Sequence, residues 1–162
     1  MKKSALIGFA AGFLFMLATT AVAMYDAKAQ TPSWVTAVPT PRVTVAAGKP
    51  ARVQLRFNVA PGYHINSNRP GSELLIPTTL RMNPPTDLGI GSITYPKGHD
   101  LTLAIAPGEK LNVYTGEFTV AAKVSATRTA TPGRYKVHGE LKYQACNDRA
   151  CFPPKLLPVE FE

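Results

Sequence analysis

The sequence predicts an all-β domain built as an antiparallel β-sandwich, preceded by a short export segment. Three observations carry that expectation. From about residue 34 onward apolar residues recur at every second position in run after run, as in strands with one buried and one wet face. Proline and glycine signals punctuate these runs at short intervals, each with a backbone reason to turn the chain. No helical period follows the export segment, and the 15 prolines, all beyond it, make up about 11% of the remainder against a usual share of roughly 5%.

Residues 1–29 read as a secretory signal peptide. Lys2 and Lys3 form a basic start, Ala5 to Ala18 is an apolar run, and Ala21-Val22-Ala23 and Ala27-Lys28-Ala29 are small-x-small cleavage sites. With Thr19 and Thr20 the run approaches the roughly 20 residues of a membrane span, but the cleavage sites behind it favour export with cleavage after Ala29 or Ala23. No cysteine stands nearby, which argues against a lipid-modified terminus. Removing 29 of the 162 residues leaves 133, with 15 basic and 9 acidic side chains and a charge of +6. That is one domain, 30–162. At this size about two-thirds of the unfolded surface is buried, so the core does not need covalent help.

In chain order, the first expected strand is Val43 to Ala47, closed by Ala47-Gly48-Lys49-Pro50. Arg52 to Val59 alternates strictly and ends at Pro61-Gly62. Arg69-Pro70-Gly71 precedes Leu74 to Met82, where Pro77 favours an edge position, and Asn83-Pro84-Pro85 stops it. Leu88 to Tyr95 follows, its alternation shifted at Gly91-Ser92 as a bulge would shift it. Leu101 to Ile105 leads to Pro107-Gly108. Phe118, Val120, Ala122, Val124 and Ala126 form the next face, and Tyr135, Val137, Gly139, Leu141 and Tyr143 another, with Thr131-Pro132-Gly133 between them. Leu157 to Phe161 is last. Strands at this spacing predict seven to nine in an immunoglobulin-like arrangement.

The two cysteines, Cys146 and Cys151, flank a four-residue gap rich in turn formers, Asn147, Asp148, Arg149 and Ala150. They stand at the base of a hairpin turn, where Cα atoms reach the roughly 4.4 to 6.8 Å of a disulfide. An exported chain meets an oxidising compartment in which that bond persists. A structural staple and a redox-active dithiol both fit. Closing about six residues stabilises by roughly 2.2 kcal/mol in the loop-entropy treatment, against roughly 4.3 for a loop of about 60, so a staple here is weak. Strand parity, counted on from Leu141 and Tyr143, puts Cys146 with Gln144, Lys142 and Glu140 on the wet face, open to attack by another thiolate. Arg149, Lys142 and Lys155 favour a thiolate and Asp148 opposes it. These residues tilt toward exchange and leave the staple standing, since Cys-x4-Cys is not the thioredoxin spacing.

Tyr143-Gln144-Ala145-Cys146, followed after the gap by Cys151-Phe152-Pro153-Pro154, resembles the periplasmic N-terminal domain of the thiol:disulfide interchange proteins of the DsbD type. Pro61-Gly62-Tyr63-His64-Ile65-Asn66, continuing to Ile76-Pro77-Thr78, is similar to exported proteins carrying that domain. The resemblance implies an immunoglobulin-like sandwich in which Cys146 and Cys151 shuttle between dithiol and disulfide, with Cys151 as the partner-linked sulfur. It implies a periplasmic location, or a secreted one where no outer membrane exists. The implied partners are a thioredoxin-like periplasmic or membrane-anchored redox protein and exported thiol-disulfide proteins. Turnover of this oxidoreductase type needs such a partner. Tyr143, Gln144, Asn147, Asp148, Arg149, Phe152 and Pro153 surround the pair, Tyr143 and Gln144 as support and Phe152 with Pro153-Pro154 as an apolar rim. Three departures are expected: the gap is one residue shorter than in the best-known members, the family's membrane segment and thioredoxin-like domain are not expected in this chain, and the stretch between Tyr95 and Tyr114, where a cap loop falls by chain order, offers no aromatic.

Other chemistries find little support. His64, His99 and His138 are scattered and the cysteine spacing fits no zinc site, so neither metal nor other cofactor is expected. His138 shares a wet face with Lys136 and Glu140, whereas His64 and Tyr63 either border the active-site groove or pack a loop. No Gly-x-Ser-x-Gly elbow or phosphate-cradling glycine loop occurs. Basic residues are spread singly, which excludes a nucleic-acid surface, and no membrane span remains after signal cleavage. A second reading is an exported immunoglobulin-like binding or adaptor module with a purely structural local disulfide.

Overall fold

Alternation of apolar and polar residues becomes alternation of burial. In the computed structural model, which describes residues 33–102, 108 and 110–162, the chain forms eleven strands and no helix among those residues. They are β1 (Val35–Ala37), β2 (Ala51–Val59), β3 (His64–Asn66), β4 (Thr79–Asn83), β5 (Leu88–Thr94), β6 (His99–Thr102), β7 (Lys110–Tyr114), β8 (Glu117–Ala126), β9 (Val137–Tyr143), β10 (Ala145–Cys146) and β11 (Lys155–Phe161). The expected signal segment, 1–29, and the end of the expected strand Leu101 to Ile105 lie outside the described residues.

Three antiparallel sheets result, ordered β1-β2-β8-β5, β11-β9-β4 and β10-β3-β7-β6. Val53, Leu55, Phe57 and Val59 of β2 are buried while the residues between them are exposed. Phe118, Val120 and Val124 of β8, paired to β2 from Asn58↔Glu117 to Ala51↔Val124, add to the same core. Val137, Leu141 and Tyr143 of β9, Leu80 of β4, and Val159 and Phe161 of β11 complete it. The apolar faces of the first two sheets thus share one core, which is the sandwich that the sequence predicts.

The observed elements differ from the expected ones in instructive places. Eleven strands replace seven to nine because three of them, β1, β3 and β10, are only three, three and two residues long. No strand forms at Val43 to Ala47, where only bridges at Ala46↔Lys49 and Ala47↔Ala126 are made. The segment from Leu74 joins a sheet only at Thr79, beyond Pro77, and Leu74 itself is 94% exposed. Tyr135 precedes β9 and hydrogen-bonds Asp87 through its hydroxyl at 2.9 Å. The bulge at Gly91-Ser92 is present as a register shift between Ile90 and Ile93.

Two local features position the site. The Tyr63 N–H donates to the Ala60 carbonyl at 3.1 Å around Pro61-Gly62, with Gly62 at φ 79°. Proline second and a left-handed glycine third is the demand of a type II turn. It delivers the chain into β3. At the other end of the sequence β9 stops at Tyr143, Gln144 belongs to no strand, and β10 resumes in a different sheet, paired to β3 through Ala145↔Ile65 and Cys146↔His64.

Candidate thiol-disulfide site

Cys146 and Cys151 form a disulfide across a hairpin, with Cα atoms 4.0 Å apart and a separation of five residues. The hairpin is closed by the Phe152 N–H donating to the Ala145 carbonyl at 2.8 Å and the Asn147 N–H to the Ala150 carbonyl at 2.9 Å. Asn147 Oδ1 accepts from the Arg149 and Ala150 N–H groups, both at 2.9 Å. One amide side chain therefore satisfies the tip of the turn, the use for which asparagine is favoured there.

The sulfurs differ in environment. Cys146 is fully buried, whereas Cys151 is exposed. This reverses the parity expectation for Cys146, which placed it on the wet face. Parity holds only within one continuous strand. The break at Gln144 resets it, so that Ala145 and Cys146 are both buried between β3 and the return strand.

Gln144 bridges the two sides of the break. Its Nε2 donates to the Phe152 carbonyl at 3.2 Å, and its Oε1 accepts from Asn66 Nδ2, also at 3.2 Å. Asn66 Nδ2 further donates to the Ile76 carbonyl at 3.0 Å. Tyr143 is buried, and burial pushes its hydroxyl above the ordinary value, opposed by hydrogen bonds with Ser33 and the Val35 and Trp34 backbone.

Phe152 is half-buried and stacks on Trp34 at 4.4 Å between centroids, with Tyr63 tilted against both at 6.1 Å from Trp34 and 6.0 Å from Phe152. Lys155 Nζ lies 4.2 Å from the Trp34 ring centre. Instead of forming a free rim, Phe152 is thus anchored inward; Pro153 and Pro154 stay exposed, as do Asp148 and Arg149.

His64 is 3% exposed and faces Cys146 in the register of β3 and β10. Burial holds its imidazole below the ordinary value near 6.5; the Asp148 carboxylate works against that shift and His99 adds to it. His138 is exposed, with Nδ1 3.5 Å from Glu160. Among the described residues no three His, Cys, Asp or Glu side chains cluster as a metal site, and no helix is long and apolar enough to cross a membrane. A cavity of about 380 Å³ lined by Val45, Tyr135 and Phe161 lies away from the disulfide residues.

Trp34 is a site residue that no local sequence signal marks. It lies 118 positions from Phe152, too far for any local pattern to pair them. His64, which follows Tyr63 after the Pro61-Gly62 turn and which the sequence leaves either at the groove or in loop packing, stands opposite Cys146.

Fold and site together define an all-β domain with a cross-strand disulfide, one sulfur buried and one exposed. The family described as thiol:disulfide interchange protein DsbD, N-terminal, matches residues 31–158, and the chain belongs to that family. Among solved structures, the N-terminal periplasmic domain of ScsB from Proteus mirabilis is 15% identical, with a TM-score of 0.52 over 78% of this chain. The match spans 44% of that structure's length and concerns the fold. The reduced DsbD N-terminal domain of Neisseria meningitidis is 23% identical over 67% of this chain and 74% of its own, with a TM-score of 0.44. The complex between the DsbD and PilB N-terminal domains from the same organism matches at 23% identity and a TM-score of 0.44, over 76% of this chain and 80% of that one. No curated protein matches the chain.

Proposed function

We propose that this domain is a periplasmic thiol-disulfide relay that passes reducing equivalents between a thioredoxin-like protein and exported thiol proteins through Cys146 and Cys151. The observation that carries this reading is the unequal access to the two sulfurs of one short-loop disulfide. Exchange requires in-line attack at a reachable sulfur. Cys151 offers one, and Cys146, held opposite it across the hairpin, is placed to leave or to resolve.

In the direction that reduces the partner, the Cys151 thiolate attacks the partner's disulfide, forms a mixed disulfide and releases one partner thiolate. Cys146 then attacks Cys151, releases the second partner thiolate, and leaves the domain oxidised and the partner reduced by two electrons. The reverse sequence uses the same atoms. Membership of the family supports the type of partner, and the residues around Cys151 supply a firm platform: Phe152 locked on Trp34, with the exposed Pro153-Pro154 beside it.

The redox midpoint of the pair, read by alkylation and mass shift in glutathione or dithiothreitol buffers, tests the proposal. A relay pair equilibrates in the folded state with a midpoint above about −300 mV. A lower midpoint, with sulfurs that resist reduction until unfolding, overturns the relay and leaves an adaptor module with a structural bond.

A further inference from the structure

We propose that His64 accepts and returns the proton of the Cys146 sulfur during exchange. The inference rests on the relay reading and adds a residue to it. Three observations converge on this side chain. His64 and Cys146 are direct cross-strand partners of β3 and β10, and directly opposed residues carry their Cβ atoms about 4.5 to 5.5 Å apart on one face of the sheet. Both are buried, at 3% and 0% exposure. The His64 Nε2 atom is buried without a hydrogen-bond partner among the described residues.

Chemistry supplies the need. When Cys146 leaves the disulfide it carries a negative charge into a buried site, and when it resolves a mixed disulfide it must first lose a proton there. A desolvated thiolate is disfavoured, and a fully buried sulfur has little water with which to trade protons. Ala145 and Ile65, its neighbours in the ladder, are apolar. His64 is the titratable group placed opposite it. The groups that face His64 in turn are Asp148 from the hairpin turn and His99 from β6. Burial keeps the imidazole neutral at neutral pH, the form that accepts a proton, and Asp148 steadies the imidazolium once formed.

The step balances as follows. In resolution, the Cys146 thiol gives its proton to His64 Nε2, its sulfur forms the bond to Cys151 Sγ, and the partner sulfur leaves with the electron pair; the imidazolium then loses its proton to solvent. In the opposite direction a partner thiolate attacks Cys151 Sγ, Cys146 leaves with the electron pair, and the imidazolium protonates it.

The reduced protein reacting with dithiobis(nitrobenzoate) separates the two sulfurs. Attack by Cys151 releases the first thionitrobenzoate, and resolution by Cys146 releases the second. In His64→Gln the second release should slow by about tenfold or more near pH 7, and recover only in alkali well above the ordinary thiol value of about 8.5, since burial raises the pKa of an unaided thiol. The first release should not change. Equal second-release rates in variant and wild type across this range overturn the role of His64. Absence of a first release from the folded wild-type dithiol refutes instead the exchange reading on which it rests. Should the variant not fold, the unmodified protein still decides: the second release should level off above the pH at which the His64 imidazole, followed by NMR, loses its proton, because the neutral ring is the base. A second release that instead keeps rising with pH up to the alkaline ionisation of a thiol overturns the proposal.

Discussion

Cys146 and Cys151 are bonded to each other with Cα atoms only 4.0 Å apart, yet one is sealed in the protein and the other meets solvent. The hairpin stands at the edge of the sheet that contains β3, so its inner strand is covered and its returning strand is not. In the proposed relay, asymmetry of this kind gives different chemical steps to two residues of the same type.

The single-cysteine variants should therefore behave unequally. Cys146→Ser leaves the exposed sulfur and should accumulate a mixed disulfide with a thioredoxin-like protein. Cys151→Ser leaves the buried one and should accumulate about tenfold less, since access governs attack. Non-reducing electrophoresis with mass identification reads both, and equal trapping contradicts the assignment of Cys151 as the reachable sulfur.

Asn147 holds the turn through two hydrogen bonds to its side-chain oxygen. Asn147→Ala loosens the dithiol more than the disulfide, which is held covalently, so the two sulfurs meet less often when reduced. A loss of about 1 kcal/mol of pre-organisation corresponds to a midpoint about 20 mV less negative. Equilibration in glutathione buffers measures it; an unchanged midpoint means that the turn keeps its shape without Asn147.

A Cβ at Gly139 would lie 2.4 Å from the Arg81 carbonyl oxygen and 2.5 Å from Met82 Sδ. The first contact is backbone and cannot swing away. Gly139→Ala should destabilise the fold by about 1 to 3 kcal/mol by urea denaturation, while the redox midpoint, set across the molecule's other residues, stays where it is. A neutral outcome would show that β4 and β9 can separate at this point without cost.

His64 also sets a pH dependence of stability. Its folded value lies below the ordinary 6.5, chiefly through burial, so the unfolded chain binds its proton more readily. Stability from this group is complete above about pH 6.5 and is lost as pH falls through the window beneath that value. Urea midpoints of the disulfide form between about pH 5 and 7.5 should decline toward acid more steeply in wild type than in His64→Gln. Parallel profiles would exclude a buried, neutral His64.

Alternation, strict from Arg52 to Val59 and interrupted only by the buried Ala121 from Phe118 to Val124, was sufficient to predict buried faces, because a period of two is imposed by the pleat itself and each run lies in one unbroken strand. The bulge at Gly91-Ser92 was legible for the same reason, as a local break in that period. Val43 to Ala47 has strand composition but meets neighbours only at isolated points, through the Val43 N–H to the Glu162 carbonyl and the bridges at Ala46 and Ala47, and pairing is a long-range event that composition does not record. The disulfide hairpin was legible since both cysteines flank a turn coded within six residues. Trp34, His64 and Asn66 entered the site from distant parts of the chain, and nothing beside the cysteines in sequence points to them.

By itself the sequence determined the all-β class, the main turns, the location of the cysteine pair and its resemblance to DsbD N-terminal domains. These depend on short-range backbone preferences and on a motif contained in one stretch, Tyr143 to Pro154. Only the tertiary structure decided which sulfur is covered. That outcome turns on Gln144, where the chain leaves one sheet and enters another. Side-chain direction is fixed by the strand's hydrogen-bonded neighbours, so a change of sheet cancels any count carried across it and places Cys146 opposite His64.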